Sequence, residues 1–421
     1  MKRTLELCGV GLLLLAASGG SLEPSTLDPP IATSSKADGK ARVLPDRKCQ
    51  GVPATGQTDC WDQDGNVVDC TGTGEDGEFQ SGWTTGAHPR FTNRGDGTVK
   101  DNLTNLIWLK NANCFGELDW STALSEANNL ASGSCGLTDG SMAGDWHLPN
   151  VRELQSLIDY GHSEPALPDG HPFSEVRAQL CWSSTSFPGH PPSAWYVSVQ
   201  YGYTDKDGKF LPYGVWPVRG AVSPVGHVPR GPMAGSRVAR VLPDRRCAGV
   251  PATGQTQCWD QDGILIDCSG TGQDGEYQNG WTSGTHPRFA ERGDGTVKDN
   301  LTGLIWLKHA SCFFGSWTDA LSFAKVLASG SCGLTDGSKA GAWRLPNARE
   351  LQSLIDYSQD LPALPPGHPF LAIEIQYWSS TSSSSSLLQH SPFMMVYDGT
   401  LGVAVGSGSI GAHAWPVRGG D

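Results

Sequence analysis

Positive charge is scarce in this 421-residue chain: 30 Lys and Arg stand against 43 Asp and Glu, a formal net charge of −13. A surface of that sign repels nucleic acid and other polyanions, so neither is expected as a partner. Long apolar runs are lacking as well. The one short run, at residues 10–17, follows Lys2 and Arg3 and ends in Ala16, Ala17 and Ser18. That is the layout of an export signal over residues 1–20, too short to span a bilayer. Cys8 precedes the run, where a lipid-anchoring cysteine would follow it. The cysteines form no C-x-x-C and have no His at ligand spacing, which argues against zinc. There is no G-x-S-x-G elbow, and the D-x-D-x-D-G loop that binds calcium is not met. The chain therefore reads as exported, either secreted, periplasmic or held at the cell surface, with no membrane span.

What is present is a duplication. RVLPDRKC at 42–49 returns as RVLPDRRC at 240–247, and both halves close on WPVRG. Cys49, Cys60, Cys70 and Cys114 recur 198 positions later at Cys247, Cys258, Cys268 and Cys312. That spacing is far above the ~20–50 residues of solenoid and propeller units. Each copy, at roughly 180 residues, is long enough to close its own core. The expected division is a signal at 1–20, a flexible leader at 21–40, copy one at 41–220, a linker at 221–236 and copy two at 237–421. Each copy splits into a lead segment (41–90; 237–288) and a core (91–220; 289–420). With 54 glycines and 15 tryptophans, short elements should hang on large aromatic anchors.

An oxidising compartment makes disulfides the default. Cys60 and Cys70 bracket a hairpin-like segment turning at Asp64-Gly65, and Cys258 and Cys268 do the same at Asp262-Gly263. Cys114 with Cys135, and Cys312 with Cys332, would staple the ends of a helical stretch. Cys49, Cys181 and Cys247 remain: Cys49 bridges to Cys247 across the copies, or pairs with Cys181. In the core, Gly95-Asp96-Gly97 and Asn102–Asn105 are turn chemistry, with strands at 98–100 and 106–110. Trp120, Ala123, Leu124, Ala127 and Leu130 fall at helical spacing, which predicts a helix over 120–131 capped by Asp119 or Ser121. A second helix follows Asn150, its buried stripe being Leu154, Leu157 and Ile158. The same pieces recur at 317–328 and 347–357, and aromatic strands follow at 194–199 and 393–397.

The ordered strings DGTVKDNLTGLIWLK, GSCGLTDGS, W-R/H-L-P-N, ELQSLIDY, WSSTS and WPVRG resemble the Legionella collagen-like protein C-terminal domain family over 91–220 and 289–420. The resemblance implies an α+β fold of two tandem C-type lectin-like domains, each with two helices flanking a small irregular antiparallel sheet. Each would be preceded by a short disulfide hairpin segment. It also implies that ligands are taken by the loops before the last strands. No collagen-like Gly-x-y tract is present, and the acidic charge does not suit the sulfated ligand of the family's name-giving adhesin. Formylglycine-generating enzymes of that fold hold copper on late cysteines; after Trp182 and after Trp378 each copy has none. The EPN and QPD tripeptides of calcium-dependent sugar binding are missing from both cores.

Individual motifs also have plainer readings. Ser183 and Ser184 of WSSTS, with His171 and Asp159, sketch a hydrolytic triad; a β-turn held by hydroxyl-to-backbone bonds explains them better. Asp145-Trp146-His147 becomes Ala342-Trp343-Arg344 in copy two, so a site needing that acid or His would work once only. Arg152 and Glu153, like Arg349 and Glu350, read as internal ion pairs or cap bonds. The RGD strings at 94–96 and 292–294 and the sequons at Asn102 and Asn300 read as turns. Asp62, Asp64, Asp260 and Asp262 cluster in the lead segments, where calcium is the cation they would suit; no other cofactor is expected. Tyr201 and Tyr203, in the segment where the copies differ most, are the candidate ligand-facing aromatics. The expectation is a non-enzymatic protein that binds an extracellular glycan or protein, two weak sites gaining avidity. The alternatives are a cell-envelope hydrolase or a purely structural extracellular component. Nothing in the sequence sets the oligomeric state.

Overall fold

The computed structural model describes residues 51–62, 65–86, 89–177, 179–220, 249–282, 287–388, 390–405 and 410–419. The signal, the leader and the linker lie outside them. Copy one runs β1 (Cys60–Trp61), β2 (Val67–Val68), α1 (Asp76–Phe79), β3 (Phe91–Asn93), β4 (Thr98–Asp101), β5 (Ile107–Leu109) and β6 (Glu117–Leu118). It continues with α2 (Trp120–Asn129), α3 (Val151–Leu157), β7 (Leu180–Ser186), β8 (Ser193–Ser198), β9 (Thr204–Gly208), β10 (Tyr213–Gly214) and β11 (Val218–Arg219). Copy two repeats the series as β12 (Cys258–Trp259), β13 (Leu265–Ile266), α4 (Asp274–Tyr277), β14 (Phe289–Glu291), β15 (Thr296–Asp299), β16 (Ile305–Leu307) and β17 (Phe313–Gly315). Then follow α5 (Trp317–Val326), α6 (Ala348–Leu354), β18 (Gln376–Ser382), β19 (Pro392–Val396), β20 (Leu401–Val403), β21 (Ala412–Ala414) and β22 (Val417–Arg418).

Local chemistry explains where these elements begin. Asp119 caps α2 by accepting from the Thr122 N–H at 3.1 Å. Asn150 and Asn347 start α3 and α6 with full capping boxes, closed by Glu153 and Glu350. Gly97 lets the β3–β4 turn touch the loop after α2: at φ +82° a Cβ there would sit 2.3 Å from the Gly136 carbonyl oxygen. Asp96 of the RGD string holds this turn, its carboxylate accepting from the Thr98 N–H and hydroxyl. WSSTS is not a β-turn; it lies inside β7 and β18, where Ser183 donates to the Trp195 carbonyl at 2.8 Å. The hydroxyl-to-backbone bonding is as expected, but it spans neighbouring strands. Cys60–Cys70, Cys114–Cys135, Cys258–Cys268 and Cys312–Cys332 are disulfides. Cys181 is a free thiol buried in β7, which removes the Cys49–Cys181 alternative; Cys49 and Cys247 lie outside the described residues.

The larger sheet has the order β17-β21-β18-β19-β20-β9-β8-β7-β10-β6. Read from either end it gives corresponding strands, so the copies are related by a pseudo-two-fold axis through the seam where Leu401 of β20 pairs antiparallel with Thr204 of β9. Lys206 of β9 locks that seam, donating to Asp398 and Thr400 at 2.6 Å each. Each core also carries a four-stranded sheet, β11-β5-β4-β3 or β14-β15-β16-β22.

The lead segments are exchanged. Asp76 of α1 accepts from Thr381 in copy two, and Asp274 of α4 accepts from Thr185 in copy one, both at 2.7 Å. Gln57 brackets Ser382 with two backbone bonds, and Gln255 donates to the Ser186 carbonyl. Asn347 donates to the Ser81 carbonyl and Asn150 to that of Asn279. Lys209, buried at 1% exposure, donates to the carbonyls of Trp259 and Asp260. WSSTS is therefore the strand that receives the other copy's lead segment. The main core is shared across the axis, with Trp195 against Tyr357 and Tyr160 against Phe393 at edge-to-face distances of 5.2 and 5.0 Å.

Candidate binding face

The expected ligand segment of copy one forms β8, β9, β10 and their connections. In antiparallel register Tyr196 stands opposite Asp205 and Ala194 opposite Asp207, which puts both carboxylates on the Tyr196 face. Tyr213 joins from β10, its hydroxyl donating to Asp207 at 2.7 Å. Tyr196 has Tyr213 at 5.1 Å and Tyr203 at 6.3 Å, and Trp182 underlies Tyr213 at 4.6 Å. One end of this face is covered by α2, through Trp120, Ala123 and Leu124. The other end is open: Tyr203, Tyr213, Asp205 and Asp207 are half-exposed and Phe210 stands out at 76% exposure.

The electrostatics suit a site that is only partly wet. Burial raises Asp205 above the usual carboxylate range; Asp398 and Asp207 add to the rise, and Lys206 opposes it. Burial also raises Tyr196, Tyr203 and Tyr213, so their hydroxyls stay protonated and able to donate. Of the two tyrosines expected from sequence, Tyr203 belongs to this face. Tyr201 does not: its hydroxyl donates to Glu164 at 3.1 Å, at the turn after β8. Tyr196, Tyr213, Asp205 and Asp207 were not expected, although the alternation Tyr196/Val197 and Asp205/Lys206/Asp207 carries the signal once the strand pairing is known.

Copy two presents different chemistry at the same place. Met394 stands opposite Gly402 where Tyr196 faces Asp205. Ala404 and Ala412 occupy the positions of Asp207 and Tyr213, and Phe313, Phe323 and Ile410 pack around them. The site is polar and aromatic in one copy, apolar and small in the other.

The remaining candidates are engaged elsewhere. Asp62 accepts from Asn66, and Asp260 accepts from the Asp262 and Ile264 N–H groups within its hairpin. Asp262 is exposed and Asp64 lies outside the described residues. Among the described residues no three His, Cys, Asp or Glu side chains gather as a metal group. Asp159 binds His162 at 3.0 Å, and His171 lies beside Phe173, its Nδ1 without a partner. The Ser183 hydroxyl donates its hydrogen bond to the Trp195 carbonyl, and no hydrogen bond links the serine, histidine and aspartate. His147 lies 3.2 Å from Glu153 and Arg344 pairs with Glu350 at 2.6 Å, so the exchanged residue contacts the capping glutamate in both copies.

The described chain is thus a duplicated, disulfide-containing α+β protein. It belongs to the Lcl C-terminal domain family, which matches it twice, over residues 97–219 and 295–418. No curated protein and no solved structure matches it.

Proposed function

We propose that the chain is an exported, non-enzymatic binding protein that takes an extracellular glycan or protein on the Tyr196–Tyr203–Tyr213 face of copy one. The observation that carries this reading is the half-open cluster of three tyrosines with two carboxylates, a donor, acceptor and stacking set present in one copy and replaced in the other. Tyrosine supplies amphipathic contact area at little entropic cost, a mark of binding surfaces. Export is supported by four disulfides, and among the described residues no helix is long and apolar enough to cross a membrane. We read each copy as C-type lectin-like on its strands–helix–helix–strands order, with copy two keeping the scaffold and not the polar site.

Glycan-array and extracellular-protein binding of the intact chain, with calcium and with chelator, tests this. Asp205→Asn and Tyr213→Ala, both on half-exposed side chains, are expected to weaken the bound ligand at least tenfold, and Met394→Ala to leave it unchanged. Equal loss in all three, or no saturable ligand on either array, would sink the reading. Dependence on calcium would reopen the hairpins of Asp62 and Asp260 as candidate metal sites.

A further inference from the structure

At the pseudo-two-fold axis, away from that face, the two copies line a small groove that is open at its mouth. Trp83 and Trp281 line it from the two lead segments, and Arg152 and Arg349 from the two second helices. Both indoles are half-buried, while the arginines are 6% and 7% exposed.

The arginines are only partly accounted for. Each donates one terminal nitrogen to the carbonyls that end the other copy's helix, Arg152 to Ile355 and Ser353, Arg349 to Ile158 and Ser156. That satisfies helix ends, but a carbonyl is not a counter-ion. Among the described residues no carboxylate lies within 4.0 Å of either guanidinium; the neighbouring Arg90 and Arg288, which reach the same carbonyls, do pair with Asp101 and Asp299. The Nε–H of both Arg152 and Arg349 is buried without a partner, and so is the side-chain nitrogen of Gln352 in the same lining. Buried donors are almost always satisfied, and a buried charge without an opposite charge is costly. Burial pulls both guanidinium groups down to about 10, yet they stay charged at neutral pH.

We infer that this axial groove is a second binding site, independent of the copy-one face, for a small ring-bearing carboxylate: the ring lies against Trp83 or Trp281 and the carboxylate pairs with Arg152 or Arg349. Guanidinium matches a carboxylate in a two-pronged geometry that lysine does not reproduce, and indole faces stack on sugar or aromatic rings.

Calorimetric titration of the full chain tests the site with two matched pairs of probes, glucuronate against glucose and benzoate against benzyl alcohol. One acid is expected to bind at least tenfold more tightly than its neutral partner, and which acid does so tells an acidic sugar from an aromatic acid. Arg349→Lys, which keeps the charge and loses the fork, should weaken that acid at least tenfold. Trp83→Leu, on a half-exposed indole, should weaken it severalfold and serves if Arg349→Lys does not fold. Asp205→Asn should leave it unchanged. The inference is overturned if neither acid binds, if acid and neutral probe bind alike, or if the folded groove variants bind as the parent does.

Discussion

Cutting the chain between residues 221 and 236 is expected to leave both halves in a single particle, whereas neither half made alone will be a folded monomer. The reason is the exchange of lead segments. Separation would strip Asp76 of Thr381, Asp274 of Thr185, Gln57 of Ser382, and Lys209 of the Trp259 and Asp260 carbonyls. It would also break the Gln155–Tyr357 bond at 2.7 Å and both axial aromatic pairs. A neutral hydrogen bond nets about 1 kcal/mol, one to a charged group about 1.5–3, and an aromatic pair about 0.5–1.5 beyond its burial. Their sum is comparable with the whole stability of a domain, about 5–15 kcal/mol. The experiment is a protease site placed in 221–236 of a Cys49→Ser, Cys247→Ser chain, so that no bond between those two cysteines can hold the pieces. Size-exclusion with mass measurement should give one species of uncut mass after cleavage. Copy one expressed alone should aggregate or pair with itself across the same axis. Two separate, cooperatively melting monomers would show that the lead segments serve their own cores.

That exchange is the part of the fold that could not be read from the chain. The repeat, the caps at Asp119 and Asn150, the four disulfides and the strands around Gly95–Gly97 are local, and local chemistry announces them. Which core receives which lead segment is not local. The segments containing Asp76 and Asp274 are nearly the same, and so are the two WSSTS strands, so each would fit either partner equally well. Repetition hides the answer. The tyrosine face of copy one was legible in part: the segment stands out for its tyrosines, and Tyr203 lies on that face. Tyr201 is elsewhere because its neighbour in sequence is not its neighbour in register. Asp205 and Asp207 look like turn or solvent residues until β9 is set beside β8. The arginines of the axial groove read as internal ion pairs or cap bonds at the start of their own helices; the structure instead turns one nitrogen of each to the carbonyls that end the other copy's helix.

Stability is expected to rise as the solution is acidified from pH 7 towards pH 5, the reverse of ordinary acid denaturation. Three carboxyls of the exchanged segments are responsible. Burial holds Asp76 up at about 6, and Asp274 and Glu75 at about 7. Each sits beside another acid: Glu350 near Asp76, Glu153 near Asp274, Asp76 near Glu75. Arg344 and His147 pull the other way for Asp76 and Asp274. A folded-state pKa above the unfolded one means the folded chain holds the proton more tightly. The resulting stability is fully present below about pH 4 and is lost as pH climbs through 6 to 7. A tenfold gain in proton affinity on folding is worth about 1.4 kcal/mol, so the two fully buried aspartates together contribute several kcal/mol between pH 4 and pH 7. Opposing groups act elsewhere or weakly. Asp96, Asp119 and Asp294 are held below the usual range and withdraw stability only under stronger acid, while His171 and His368, lowered by partial burial, favour higher pH near 6. Lys209, pushed down to about 7 by burial, adds stability from pH 7 upward, so a minimum near neutrality is expected. The decisive comparison is the double variant Asp76→Asn, Asp274→Asn. An amide oxygen still accepts from Thr381 or Thr185, and its N–H2 can turn to the hydroxyls of Thr55 and Thr253 beside those carboxyls. Thermal melts from pH 4.5 to 7.5 should show the parent losing several degrees and the variant clearly less, the remaining slope being that of Glu75, with the two curves meeting at the acid end. Parallel curves would mean that these carboxyls are ionised in the folded chain and that the latch between the copies does not sense pH.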